Sequence, residues 1–354
     1  MFLNNTKSYE VYVRSGVPQG SVLGPLLFII YINDLSKIIE NSRMLTFADD
    51  TKIVYPIRSS ADTFSLQSDL NAIIKWSINN NMQLNGDKFE LVCHNKSTKS
   101  TSTELLDALP FNSAYKEYFT GQSLIYPSDC VKDLGLLVDY QLNWENHISN
   151  LCKQGRRLSG WILSVFFNRD AMVMLTLFNA IVRSRLEYCC QIWNPVKINE
   201  INALEQIQRS FTQKIQSVGS CDYWERITKL KIMSLQRRRE MSIILYVWKI
   251  KYDRVPNDIQ LLFRENNRKS STTAIVKPLP KVKGKLLTQY ENSFVIRAAK
   301  LWNKIPCKLT AVDNLIVFKK RLDEYLRLYP DKPPIDGHYH VNSNSLLDYR
   351  TIVL

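Results

Sequence analysis

The hydrophobic period of this chain changes once, near Trp144, and that change limits the fold more than any single motif. Before it, apolar residues come in short runs broken by Gly and Pro. Tyr9-Glu10-Val11-Tyr12-Val13 is rich in β-formers and predicts a strand, and Ser15 to Gly20 then demands a loop. A helix is expected to start near Pro25, which is harmless at a first helical position. Its stretch Leu26 to Ile32 is apolar on every side, as in a helix buried all round. Leu45 to Ala48 and Thr51 to Tyr55 flank Asp49-Asp50, predicting a hairpin with a two-residue acidic tip. Leu66, Leu70, Ile73, Ile74 and Ile78 predict a helix from about Asp62 to Asn80, while the Ser, Thr and Asn of residues 95–128 suggest loop or irregular hairpins.

From Trp144 onward the pattern becomes helical, apart from an aperiodic basic stretch over 264–285 and the tail from Pro330. Ile148, Leu151, Leu158, Ile162 and Val165 form one stripe, and Ile201, Leu204, Ile207, Phe211, Ile215 and Val218 form a second. A third helix is expected from Leu235 through Trp248, entered by Arg237-Arg238-Arg239, and a last helical unit from about Phe294 to Leu328, broken at Ile305-Pro306. The two regimes together predict an α+β fold, an antiparallel sheet with helices, followed by an all-helical region.

Charge divides the chain in the same sense. Residues 1–150 hold 12 Lys and Arg against 16 Asp and Glu, a net of −4, and residues 151–354 hold 35 against 17, a net of +18. An acidic front and a basic rear suggest chemistry in one and polyanion binding in the other, although basic helices can also carry merely solvated faces. No apolar run approaches the length of a membrane span, so no membrane partner is expected. Met1-Phe2-Leu3 is followed at once by Asn4-Asn5-Thr6-Lys7, unlike a secretory segment, so the expected location is intracellular, cytoplasmic or nuclear. Seven scattered cysteines without CxxC spacing argue against a disulfide framework and suggest mostly buried thiols.

Two stretches can carry chemistry. Asp49 and Asp50 at a hairpin tip offer carboxylates of the kind that nucleotidyl transfer uses to hold two metal ions, although an Asp pair in a turn is more often only a turn. Shortly upstream, the junction Ser15-Gly16-Val17-Pro18-Gln19-Gly20-Ser21 puts glycines where backbone can approach a nucleotide and a glutamine where it can hydrogen-bond one.

The run Ser15 to Phe28, then Ile30-Tyr31-Ile32-Asn33-Asp34-Leu35, then Phe47-Ala48-Asp49-Asp50-Thr51-Lys52-Ile53-Val54-Tyr55, resembles motifs B and C of the reverse transcriptases of non-LTR (LINE-type, jockey-like) retrotransposons in order and spacing. That resemblance implies a catalytic metal ligand at Asp49 with Asp50 beside it. It also implies nucleotide and template binding by Gly16, Pro18, Gln19 and Gly20, two Mg²⁺ ions as cofactors, and an RNA template, a DNA primer and deoxynucleoside triphosphates as partners. Asn81 to Glu90 is similar to motif D, with Lys88 as candidate general acid, though Gly86 and Phe89 stand where the family more often has Pro and Thr; Lys88 can equally be a plain loop lysine.

Val131 to Asp139 with Leu142-Asn143-Trp144 and His147 resembles the primer-grip hairpin and the start of the thumb, His147 reading as a packing residue. Leu186 to Trp193, Leu204 to Arg209 and Leu301 to Pro306 resemble the thumb block and terminal segment of jockey-like elements. The implied organisation is a partial palm with motifs B to E over residues 1–143, a helical thumb and connection region over 144–263, a basic linker over 264–285, a helical C-terminal segment over 286–329 and a disordered tail over 330–354. Lys153, Arg156, Arg157, Arg209 and Lys214, mostly off the apolar stripes, are the candidate nucleic-acid contacts.

In that family a further catalytic Asp, in motif A, precedes the Gln19 loop by several dozen residues. Only 14 residues precede Ser15 here. The expectation is therefore an RNA-directed DNA polymerase domain truncated before the fingers and motif A and inactive alone. The alternative is a non-catalytic RNA- or DNA-binding remnant of a decayed element.

Overall fold

A computed structural model describes residues 2–3, 6–7, 12, 16–18, 20–82, 84–94, 125, 128–259, 261–266, 272–276, 290–331 and 345–348. The chain divides into two compact units, residues 1–129 and 130–354. The strand expected at residues 9–13 lies outside the described residues except for Tyr12, and so do Gln19 and most of residues 95–128.

The first unit begins with the short antiparallel pair β1 (Phe2–Leu3) and β2 (Thr6–Lys7), followed by helix α1 (Gly24–Ile32) and a 3-10 turn (Leu35–Ile38). Pro25 sits in the first turn of α1, and the Gly24 N–H donates to Ser21 Oγ at 3.0 Å. The hairpin β3 (Arg43–Phe47) and β4 (Asp50–Val54) comes next, with Met44 paired to Ile53 on its half-buried face.

Helix α2 (Ser60–Asn79) is started by a capping box, in which the Ser59 N–H donates to Asp62 Oδ2 at 2.8 Å. Backbone N–H groups of Arg58 and Ser59 hold the Asp62 carboxyl below the usual carboxylate range. Leu35, Ile73 and Trp76 form the core of this unit, and Ile32, Met44, Ile53, Met82 and Leu84 pack against it.

Helix α1 is not enclosed as its composition suggests. Leu26, Leu27, Ile29, Ile30 and Tyr31 are exposed, and Gly24 is its one buried residue. A helix apolar on every side needs neighbours on every side, and among the described residues the three-residue core meets it at Ile32, with the Tyr31 ring edge-on to Trp76.

The second unit opens with the hairpin β5 (Cys130–Asp133) and β6 (Leu136–Asp139). Leu134 and Gly135 at its turn both have positive φ, 44° and 87°, as a two-residue type I′ turn requires. The buried Asp139 carboxylate accepts the N–H groups of Gln141, Asn143 and Trp144, which fixes the turn into α3 (Glu145–Val165).

Then come α4 (Ala171–Leu177), which runs through a π-helical segment (Phe178–Arg183) into α5 (Ser184–Glu187), α6 (Cys190–Trp193), α7 (Ile198–Thr212), α8 (Tyr223–Lys229) and α9 (Leu235–Lys251). A hairpin β7 (Phe263–Asn266) and β8 (Thr272–Ile275) precedes α10 (Phe294–Trp302), α11 (Cys307–Thr310) and α12 (Leu315–Arg327), and a 3-10 turn (Leu346–Asp348) closes the described chain.

Two cores hold this unit. One joins α3 to α7 and includes Ile148, Ile162, Phe178, Trp193, Leu204 and Phe211; the other joins α9, α10 and α12 and includes Ile244, Trp248, Trp302, Phe318 and Leu322. Gly155 permits the α3–α7 approach, because a Cβ there would stand 2.9 Å from Ile207 Cδ1 and 3.2 Å from Leu186 Cδ2.

Several expectations are corrected here. The described part of residues 264–285, expected as a linker, forms most of the β7–β8 hairpin, with Ile275 buried and its N–H donating to Asn303 Oδ1. In the tail, Leu346 is buried, since an apolar side chain there finds the second core. The stripe to Val218 outlasts its helix: Ile215 and Val218 are buried in the turns after Thr212. Only Cys152 and Cys190 are buried thiols, the other five being intermediate.

Candidate active site and nucleic-acid face

In the first unit, Gly20 has φ +83° and the Ser21 N–H donates to the Pro18 carbonyl at 3.2 Å. Pro18 to Ser21 therefore close a turn whose third residue needs positive φ, which is why glycine stands there. Gly16, also at φ +83°, Pro18 and Gly20 are all exposed. Ser21 ties this turn to α1 through Gly24, where an added Cβ would meet Ser21 Oγ at 2.9 Å.

The β3–β4 register pairs Phe47 with Asp50, so the tip is Ala48-Asp49 and Asp50 is the first residue of β4. This corrects the expected Asp49-Asp50 tip. Ala48 takes φ 53°, a left-handed conformation that a residue with a Cβ adopts at a cost, directly before the candidate ligand. Asp49 and Asp50 are both exposed.

Lys88 ends a 3-10 turn (Gly86–Lys88) and is exposed, its N–H donating to the Asn85 carbonyl at 3.1 Å. Met44 and Ile53 of the hairpin and Met82 and Leu84 before that turn pack on the same small core.

Two acids that sequence reading passed over hold this arrangement. Asp69 on α2 is buried, and its carboxylate accepts the backbone N–H groups of Glu40, Asn41 and Ser42, the turn leading into β3. Its carboxyl lies below the usual range; burial pushes it up, but the hydrogen bonds from Ser42, Asn41 and Glu40 outweigh that. Asp34 accepts from Trp76 Nε1 at 3.1 Å. An acid placed within the Leu66–Ile74 stripe was the available signal for Asp69.

A two-ion centre draws its carboxylates from more than one strand, whereas Asp49 and Asp50 are neighbours on one hairpin. Among the described residues no group of three or more His, Cys, Asp or Glu is placed to hold a metal ion. The pair does not by itself fit such a centre.

The second unit carries the basic candidates. Lys153, Arg156 and Arg157 on α3, Arg209 in the last turn of α7 and Lys214 in the turn after it are all exposed. Lys153, Arg157 and the half-exposed Trp161 fall four residues apart, on one row of α3. Arg209 is not a free chain: its guanidinium lies 4.9 Å from the Tyr223 ring centroid and 6.0 Å from that of Trp224.

Below Arg209, the buried Glu205 carboxylate accepts from the Tyr223 hydroxyl and the Leu235 N–H, joining α7, α8 and α9. Burial pushes its carboxyl up to about 7. Trp193 and Trp248 are core residues. His147 is a packing residue, its Nδ1 accepting from the Leu137 N–H and its ring 5.3 Å from that of Trp193; burial lowers its pKa.

Comparison with known proteins bears on the first unit most. Residues 1–138 match the family described as reverse transcriptase (RNA-dependent DNA polymerase). The chain is similar to a probable RNA-directed DNA polymerase from transposon X-element of Drosophila melanogaster, 26% identical over 231 residues, which are 63% of this chain and 24% of that protein. It is also similar to the RNA-directed DNA polymerase from mobile element jockey of the same species, 26% identical over 215 residues, 57% of this chain and 22% of that protein. The match to a probable RNA-directed DNA polymerase from transposon BS, again from Drosophila melanogaster, is 26% over 243 residues, 64% of this chain and 25% of that protein. The chain thus spans about a quarter of the length of these curated relatives. No solved structure matches it. No helix among the described residues is long and apolar enough to cross a membrane.

Proposed function

We propose, from the match of residues 1–138 to the reverse transcriptase family and the similarity to proteins of jockey-like elements, that this chain serves RNA-directed DNA synthesis and divides the work between its two units. In this reading the first unit is palm. Asp49 is a metal ligand with Asp50 beside it, and Gly16, Pro18, Gln19 and Gly20 form the loop that meets template and incoming deoxynucleoside triphosphate. Lys88 gives a proton to the departing pyrophosphate. Mg²⁺ would supply the charge that stabilises the triphosphate, with carboxylates beyond this pair needed to complete its site. The observation that carries the reading is the strained Ala48 turn, which projects Asp49 from a hairpin packed on the same core as the Lys88 stretch.

The second unit is thumb. Lys153, Arg156, Arg157, Arg209 and Lys214 neutralise phosphates of an RNA template paired to a DNA primer. Assayed alone, the chain binds primed RNA and extends it little or not at all, because two adjacent carboxylates are short of what two ions require.

Binding of primed RNA across a salt series tests the nucleic-acid part. Log affinity should fall linearly with log salt, and Arg157→Ala or Arg209→Ala should each reduce that slope by roughly one. Affinity independent of salt contradicts it.

A further inference from the structure

Residues Ser345–Asp348 are held to Glu240 on α9 and to Lys304, in the turn after α10, by a specific set of polar bonds. The Leu346 N–H donates to Glu240 Oε2 at 2.9 Å, and the Ser345 hydroxyl donates to Glu240 Oε1. On the other side, Lys304 Nζ donates to the carbonyls of Leu346 and Leu347 at 2.8 and 2.7 Å. The Leu347 N–H closes on Ser345 Oγ at 3.1 Å. Leu346 itself is buried as part of the α9–α10–α12 core.

Glu240 is buried on α9, and a carboxylate there is costly unless donors meet it. Two of its donors come from this one short segment, 105 and 106 residues along the chain. The pattern reads as recognition: a hydroxyl and the following N–H on a carboxylate, a branched apolar side chain in a pocket, and two carbonyls under an ammonium.

We propose that the surface between Glu240 on α9 and Lys304 in the turn after α10 is a peptide-docking site selective for a Ser-Leu-Leu segment, and that the chain's own Ser345–Leu347 is its occupant. The segment is then a latch on the second core, and this holds whether or not the chain serves a polymerase.

The test shortens the chain to end at residue 340. The shortened protein should unfold at a lower temperature than the full chain. A synthetic peptide of residues 341–354 should restore the midpoint saturably, while the same peptide with Leu346→Asp should bind at least about tenfold more weakly. Hydrogen exchange on the full chain keeps the question open to refutation if the shortened protein does not fold. The Leu346 and Leu347 amides should exchange roughly a hundredfold or more slowly than unstructured amides. A shortened chain that melts with the full one and ignores the peptide overturns the proposal, as do unprotected Leu346 and Leu347 amides.

Discussion

The two units spend their apolar residues in opposite ways. In the second, Trp193, Trp248, Trp302, Phe211 and Phe318 are almost wholly buried, and even Arg237 and Arg239 lie inside. In the first, α1 leaves Ile30 63% exposed and the hairpin leaves Phe47 66% exposed, over a core of three residues. The basic unit thus packs its large aromatics inside, while the unit with the candidate carboxylates presents apolar surface and a hairpin with little support. The lesson is that the chemistry-bearing residues stand where this chain's own packing is thinnest.

That contrast can be broken most sharply by truncating matched apolar residues. Trp302→Ala should lower unfolding free energy by about 3–5 kcal/mol, whereas Ile30→Ala should change it by no more than about 0.5 kcal/mol. Denaturant titration of both variants checks this, and similar losses would mean that α1 is enclosed after all.

A second difference is electrostatic. Glu205 and Glu240 both have carboxyls pushed up by burial to about 7 from the ordinary value of 4.5. A raised acid stabilises fully below its unfolded value, and that stabilisation is lost as pH rises from 4.5 through 7, up to about 3 kcal/mol for each group. His147 works in the opposite direction: its lowered pKa means stability is lost as pH falls below the unfolded value of 6.5. Thermal unfolding of Glu205→Gln should therefore show a flatter loss between pH 5 and 8. An unchanged profile would remove Glu205 from the account.

A more local effect is expected at the helix contact. Gly155→Ala should cost about 1–2 kcal/mol by forcing Ile207 and Leu186 apart, read from the same denaturant curves. A neutral result would show that the α3–α7 contact yields easily.

What could be read from the amino acids followed local period. The β3–β4 hairpin, α2, α3 and α9 all stand close to where local pattern put them, the helices because each carries its own buried face and the hairpin because two β-rich runs flank a short turn. The β7–β8 hairpin and Leu346 were missed because their burial depends on partners far along the chain, Asn303 and Glu240 among them, beneath a basic and Ser/Thr-rich composition. Arg237 and Arg239 look like surface charges in the sequence. Only the folded unit supplies the Leu326 carbonyl and Asn194 side chain that accept from them. At the candidate site the motif residues were legible, but the anchoring role of Asp69 was not, since nothing local marks which turn it will cap.

The most direct measurement is primer extension on an RNA template with Mg²⁺, run beside a binding assay on the same primed template, for this chain and for Asp49→Ala. The account predicts that both proteins bind with the same salt-dependent affinity and that neither extends the primer measurably. Extension by the chain that Asp49→Ala abolishes would contradict it, and would mean that its own residues complete the metal site.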